Sequence, residues 1–227
     1  MHGQREANDM KRLLVLLLLV AGMAVPSAEA GIITGSEVKV TGSLGTLGGG
    51  AFTVESPDSD PFLTFCLERD EYISYNTTYY AKLALAADDG GAGGLSPDPL
   101  DSRTAFLYSQ FLDGTGYFTS LNTDVINGLQ LAIWRTEEEV DSSYNVLGTP
   151  TQRNLAETYY NWATTQADGS LYGVQVMQLW GTYNPTTGAV SGYKQDQLVR
   201  VPDGGATLVL LGGTLLGIGA LRRRLSR

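Results

Sequence analysis

Two apolar runs, one near each end, leave only the middle of this 227-residue chain free to build a water-soluble core. The first, Leu13 to Val20, follows Met10-Lys11-Arg12 and precedes Pro26 and the small-residue pattern Ala28-Glu29-Ala30. Charged, apolar and cleavable regions in that order make residues 1–30 a secretory signal peptide, with cleavage predicted after Ala30. The run is short for a span, which argues against an uncleaved anchor. The residues before Met10 are polar and fit no export signal, so Met10 is an alternative start. The second run, Ala206 to Leu221, is preceded by Val201-Pro202-Asp203-Gly204-Gly205 and closed by Arg222-Arg223-Arg224. Counting from Val201, about 20 residues at a rise of about 1.5 Å each cover roughly 30 Å, the hydrocarbon thickness of a bilayer. The arginines hold that end in the cytoplasm, so the body of the chain is expected to face outward. Gly212, Gly213, Gly217 and Gly219 leave the backbone of this segment open to another membrane protein.

Between these runs the chain has the length of a single domain and reads as α+β. Val38-Lys39-Val40-Thr41 and Ala51-Phe52-Thr53-Val54 are strand-like runs broken by glycines. Ser56 to Pro61 reads as a turn-rich loop, and Phe62 to Phe65 as a short strand ending at Cys66. A Gly/Asp/Pro-rich stretch from Asp88 to Pro99 separates this part from three predicted helices. Leu100 to Leu112 is periodic through Ala105, Phe106 and Tyr108. Asp124 to Glu138 places Ile126, Leu129 and Ile133 on one stripe, and Thr149-Pro150-Thr151-Gln152 opens the third helix with a capping-box pattern. Leu155, Tyr159 and Trp162 follow at helical spacing, and Gly169 is the expected stop. Gly173 to Tyr183 and Tyr193 to Val199 read as returning strands.

Order and chemistry at the C-terminus resemble a known signal. Val-Pro-Asp-Gly-Gly, an apolar helix and Arg-Arg-Arg over residues 201–227 look like the PEP-CTERM group of sorting tails in its VPD-type variant. That resemblance implies processing by an exosortase, a membrane-embedded cysteine transpeptidase-like enzyme of bacteria that make extracellular polysaccharide. It places the protein in the cell envelope or at the outer surface.

Composition excludes more than it offers. A formal charge of −9 with only 17% charged residues argues against nucleic acid, which needs clustered Lys and Arg on a folded surface. The chain has one Cys, Cys66, and one His, His2, which lies upstream of the mature protein. No disulfide within the chain, His-activated thiol nucleophile or zinc site can be assembled from these, and no metal or cofactor is expected. Asp58 with Asp60, and Asp88 with Asp89, match no complete Ca²⁺ loop and read as solvated turns. Paired carboxylates for glycoside hydrolysis cannot be picked out either. A free thiol in an oxidising compartment is a liability unless something protects or uses it.

Phe65-Cys66-Leu67-Glu68, followed by Leu129-Gln130-Leu131-Ala132-Ile133-Trp134, resembles the two signatures of the thioester domains of bacterial surface adhesins. In that family the Cys thiol condenses with the Gln amide. The resemblance covers about residues 31–199 and departs from the family in having Leu129 where Thr often precedes the Gln. It implies a β-sandwich or barrel-like part with a helical insertion carrying the Gln helix, with Cys66 and Gln130 as the reacting pair. Ala132 would allow close packing, and Phe65 and Trp134 would form an apolar wall. Glu68 and Glu137 are the nearest carboxylates in sequence that could move a proton. A primary amide is a poor electrophile, so condensation needs enforced proximity and proton delivery to the departing ammonia. The expectation is therefore a surface adhesin or matrix cross-linker that captures an amine-bearing protein or polymer once per molecule, rather than a turnover enzyme. Its rival is a non-covalent structural protein of the extracellular polysaccharide matrix with an inert Cys66.

Overall fold

The computed structural model describes residues 31–88 and 96–201. The expected signal peptide and the C-terminal apolar run, with the membrane helix expected there, lie outside the described residues. Among the described residues no helix is long and apolar enough to cross a membrane.

Strands β1 (Glu37–Ser43), β2 (Phe52–Ser56), β3 (Ser59–Thr64) and β4 (Thr78–Ala84) precede the helices, and β7 (Val174–Tyr183) and β8 (Val190–Arg200) follow them. Two residue pairs, β5 (Ala86–Ala87) and β6 (Asp98–Pro99), clasp the base of the Gly/Asp/Pro-rich stretch. The six long strands form one antiparallel sheet in the order β3-β2-β1-β4-β7-β8. Its inward rows follow the two-residue period of the sequence. Val38 and Val40 of β1, Phe52 and Val54 of β2, Phe62 of β3, and Tyr79 and Ala81 of β4 are all buried. Strand β4 takes up the Tyr79-Tyr80 end of an aromatic run whose earlier members, Tyr72 and Tyr75, are exposed. The expected loop at Ser56 to Pro61 is a tight turn instead, since β2 runs to Ser56 and β3 restarts at Ser59. Ser56 Oγ caps it, accepting from Asp58 N–H at 3.2 Å.

The sheet's two outer strands meet just past the end of β3. Leu198 N–H donates to Phe65 O and Leu67 N–H to Asp196 O, each at 3.0 Å, and Cys66 faces Gln197 in an antiparallel bridge. Cys66 thus lies on the seam where the segment after β3 meets β8.

The helices α1 (Ser102–Leu112), α2 (Thr123–Thr136) and α3 (Pro150–Gln166) are inserted between β6 and β7. Each starts at a side-chain cap, Asp101, Asn122 and Thr149 respectively. At α3 the capping box is complete: Thr149 Oγ1 accepts from Gln152 N–H, and Gln152 Oε1 accepts from Thr149 N–H at 3.0 Å. That helix ends at Gln166, before Gly169, which instead serves the following turn at φ +87°.

Helix α2 is buried on every side from Ile126 through Trp134, where the spacing alone predicts a single apolar stripe. The reason is that it is the central helix. Gly128 lets α3 approach so closely that an added Cβ would sit 2.8 Å from Leu155 Cβ, while Thr136 meets Thr104 of α1. Full burial in turn requires partners for the Asn127 and Gln130 carboxamides on this helix, and both have them.

Candidate functional site

Helix α2 brings Gln130 to the seam, and the seam presents Cys66. Both side chains are wholly buried. Cys66 Sγ lies 3.4 Å from Gln130 Oε1, and Gln130 Nε2 donates to the Cys66 backbone carbonyl at 2.9 Å. The carboxamide is therefore held at both ends, because Oε1 also accepts from Gly50 N–H at 2.7 Å. Gly50 belongs to the β1–β2 loop, whose Gly49 is pressed so tightly on the carboxamide that a Cβ there would fall 2.9 Å from Gln130 Cδ.

Burial pushes the Cys66 thiol well up, and the neighbouring Glu68 adds to this. The Trp134 indole N–H acts in the opposite direction and favours the thiolate. Trp134 Nε1 is buried without a hydrogen-bond partner among the described residues. Trp134 is thus more than the apolar wall expected of it. Phe65 does fill an apolar role, packing edge-on against Phe111 at 5.0 Å. Ala132 and Leu129 are both wholly buried.

The two carboxylates named from sequence lie in different places. Glu68 is buried two residues beyond Cys66, where Oε1 accepts from Tyr193 O–H and Oε2 from Asp196 N–H, both at 2.7 Å. The Asp196 carboxyl lies against it, with Oδ2 accepting from Asp88 N–H at 2.7 Å. No ion pair found among the described residues includes either group. Burial first, and their mutual repulsion second, raises Glu68 well above the carboxylate range, and burial raises Asp196 in the same direction. Two buried carboxyls in contact resist ionising together, which favours one shared proton on the pair. Glu137 instead caps the end of α2 and accepts from Asp101 N–H at 3.3 Å. The carboxylates whose charge reaches Cys66 are Glu68 and Glu139, the latter bound to Arg69 N–H at 3.1 Å.

Sequence reasoning misses the Gly49-Gly50 contact, the Asp196 partner and the Trp134 donor. The run Gly48-Gly49-Gly50 is the available signal for the first, since successive glycines mark a place where backbone approaches another group closely.

These residues define a mixed α/β domain with a six-stranded antiparallel sheet, three helices and a buried thiol–carboxamide pair where the sheet edges meet. At its far end, residues 200–225 match the VPDSG-CTERM motif. Gly204 stands where that motif's name has Ser. The match supports an exosortase-type sorting tail and is consistent with an exported, envelope-associated protein. No curated protein and no solved structure matches the chain. Of the motif residues, Val201 is placed by a hydrogen bond from its N–H to Gly173 O at 3.0 Å. Pro202, Asp203, Gly204, Gly205, Arg222, Arg223 and Arg224 lie outside the described residues.

Because sorting tails act through a short motif ahead of the apolar run, replacing Pro202 and Asp203 with alanine is expected to leave the chain unprocessed and membrane-associated. Fractionation and intact mass of the cell-associated protein check this. Release equal to that of the unaltered chain would remove the motif's role.

Proposed function

We propose that this is an exported surface or matrix protein that forms an internal Cys66–Gln130 thioester and uses it to attach covalently to an amine-bearing protein or polymer. The observation that carries the reading is the 3.4 Å contact between the only thiol in the chain and a carboxamide fixed at both ends in a site without water access. Proximity of this kind can replace much of the barrier that makes amides unreactive toward thiols. In the condensation, Sγ bonds to Gln130 Cδ and the Cδ–Nε2 bond breaks. The thiol proton is balanced by the one that leaves with ammonia, and in this reading the Glu68–Asp196 pair relays it.

Opening by an amine reverses the logic. The amine nitrogen bonds to Cδ, the C–S bond breaks, and the amine's proton goes to Cys66 sulfur. The Trp134 N–H favours the sulfur anion that departs. Burial keeps water from doing the same first. Exosortase sorting and an outward-facing domain would place the bond where foreign amines are met.

Intact mass of the processed protein tests the reading directly. It should be lighter than its sequence by one ammonia, and Cys66→Ala or Gln130→Ala should each restore the sequence mass. Methylamine should add at Gln130 and release a thiol that maleimide labels. Full sequence mass, with a thiol that titrates only on unfolding, would instead favour the non-covalent matrix protein, whose buried and strongly raised Cys66 would be inert.

A further inference from the structure

In the reading above the loop between β1 and β2 serves only to hold the Gln130 carboxamide, yet it makes the shortest hydrogen bond to the group that would react. Gly50 N–H reaches Gln130 Oε1 at 2.7 Å in a buried setting. The loop is held to α2 by a second, independent clamp. Asn127, wholly buried and one turn before Gln130, accepts from Thr46 N–H at 3.0 Å through Oδ1 and donates to Thr46 Oγ1 at 2.8 Å through Nδ2. Leu44 N–H to Ala51 O at 3.0 Å closes the loop at its base. Gly50 sits at φ +106°, a conformation that a residue with a side chain rarely adopts.

We propose that this loop is the oxyanion-stabilising element of the site, with the Gly50 amide as donor and Asn127 as the positioning residue that holds it there. The proposal rests on the Cys66–Gln130 reading. When Sγ adds to Cδ, the electron pair of the C=O bond moves onto Oε1, and the atom that gains the charge is the one Gly50 already touches. The same oxygen gains charge again when an amine adds to the thioester. A fixed donor in a dry site stabilises that charge without reorganising, and removing such a donor outright typically slows acyl transfer by about 10²–10³. Asn127 does not touch the reacting atoms, so its loss should cost less, on the order of tenfold. Gly49 completes the arrangement by leaving room for the carboxamide to lie against the loop.

The test uses the processed protein, unaltered and as Asn127→Ala, Thr46→Ala and Gly49→Ala. Methylamine uptake is followed by intact mass, and the thioester carbonyl by isotope-edited infrared spectroscopy after labelling glutamine. In the unaltered protein the Gly50 hydrogen bond should hold the carbonyl stretch low. Asn127→Ala and Gly49→Ala should raise that frequency and slow uptake roughly tenfold or more. Thr46 is exposed, so Thr46→Ala keeps the fold testable and should move both readouts in the same direction by less. A variant that is merely less stable would melt lower with an unshifted carbonyl. A formed bond whose carbonyl frequency and uptake rate are unchanged in Asn127→Ala and Thr46→Ala would overturn the loop's role and leave the thioester standing. Absence of the ammonia mass loss in the unaltered protein would overturn both.

Discussion

The processed protein is expected to melt roughly 10 °C higher than its Cys66→Ala or Gln130→Ala form, because the proposed bond ties together positions 64 apart in sequence. By analogy with a disulfide closing a loop of that length, the cross-link removes unfolded-state entropy worth about 4 kcal/mol. For a domain of this size each kcal/mol moves the melting temperature by about 2–4 °C. The pair should also be strongly non-additive. Once one partner is gone the bond is gone, so Cys66→Ala with Gln130→Ala should melt little lower than either alone. Opening the bond in the unaltered protein with methylamine should produce most of the same drop with no mutation at all. Differential scanning calorimetry of these samples decides the matter: small losses that add in the double variant would mean that the two side chains merely pack.

The second large effect concerns pH. Glu137 is buried and takes part in no ion pair found among the described residues, and burial above all lifts it from its ordinary 4.5 to about 8. Glu68 and Asp196 move in the same direction, again chiefly through burial. A carboxyl with a raised folded-state value binds a proton in the native chain that the unfolded chain has already released. Its stabilising effect is therefore complete in acid below the unfolded value and declines as pH rises toward the folded value. A tenfold difference in proton affinity between the folded and unfolded chain is worth about 1.4 kcal/mol, so a carboxyl raised this far accounts for several kcal/mol. The opposite contributions are small: Glu157, lowered by its bonds from Arg135 and Tyr144, is half-exposed and screened, and Asp168 is exposed. Thermal stability should consequently be greatest in mild acid and fall between about pH 5 and about pH 8. Glu137→Gln and Glu68→Gln, which keep the acceptor oxygen without the proton, should each flatten that slope. Melting temperatures that stay level or rise over this range would refute the assignment. Only Glu68→Gln should also slow thioester formation, since Glu137 is engaged at the start of α1 and its charge is not among those felt by Cys66.

Local signals settled a good deal of this protein. The end of β3 before Cys66, the capped start of α3 at Thr149-Pro150, the hairpin of β7 and β8, and the sorting motif at residues 200–225 all follow from short-range chemistry: period-two alternation, a side chain able to cap its own helix, and an ordered triplet of motif, apolar run and arginines. The resemblance to thioester domains singled out Cys66 and Gln130, with Glu68 two residues beyond the Cys, and the fold brings the first two side chains into contact.

Other features depend on segments far apart in the chain. That the sheet's edges meet at Cys66 is decided by the hydrogen bonds from Leu198 N–H to Phe65 O and from Leu67 N–H to Asp196 O, and nothing local to either segment specifies the partner. Asp196 reads in sequence as one polar residue of a strand, and only its approach to Glu68 makes it a proton-sharing carboxyl. Gly50 is 80 positions from Gln130, and Trp134 carries an apolar ring and a polar N–H whose direction is set by the way α2 is buried among the sheet, α1 and α3. Periodicity and capping are properties of neighbours along the chain and can be read from it. The direction of a donor and the burial of a charge are properties of the packed interior, and they exist only once distant segments have been brought together.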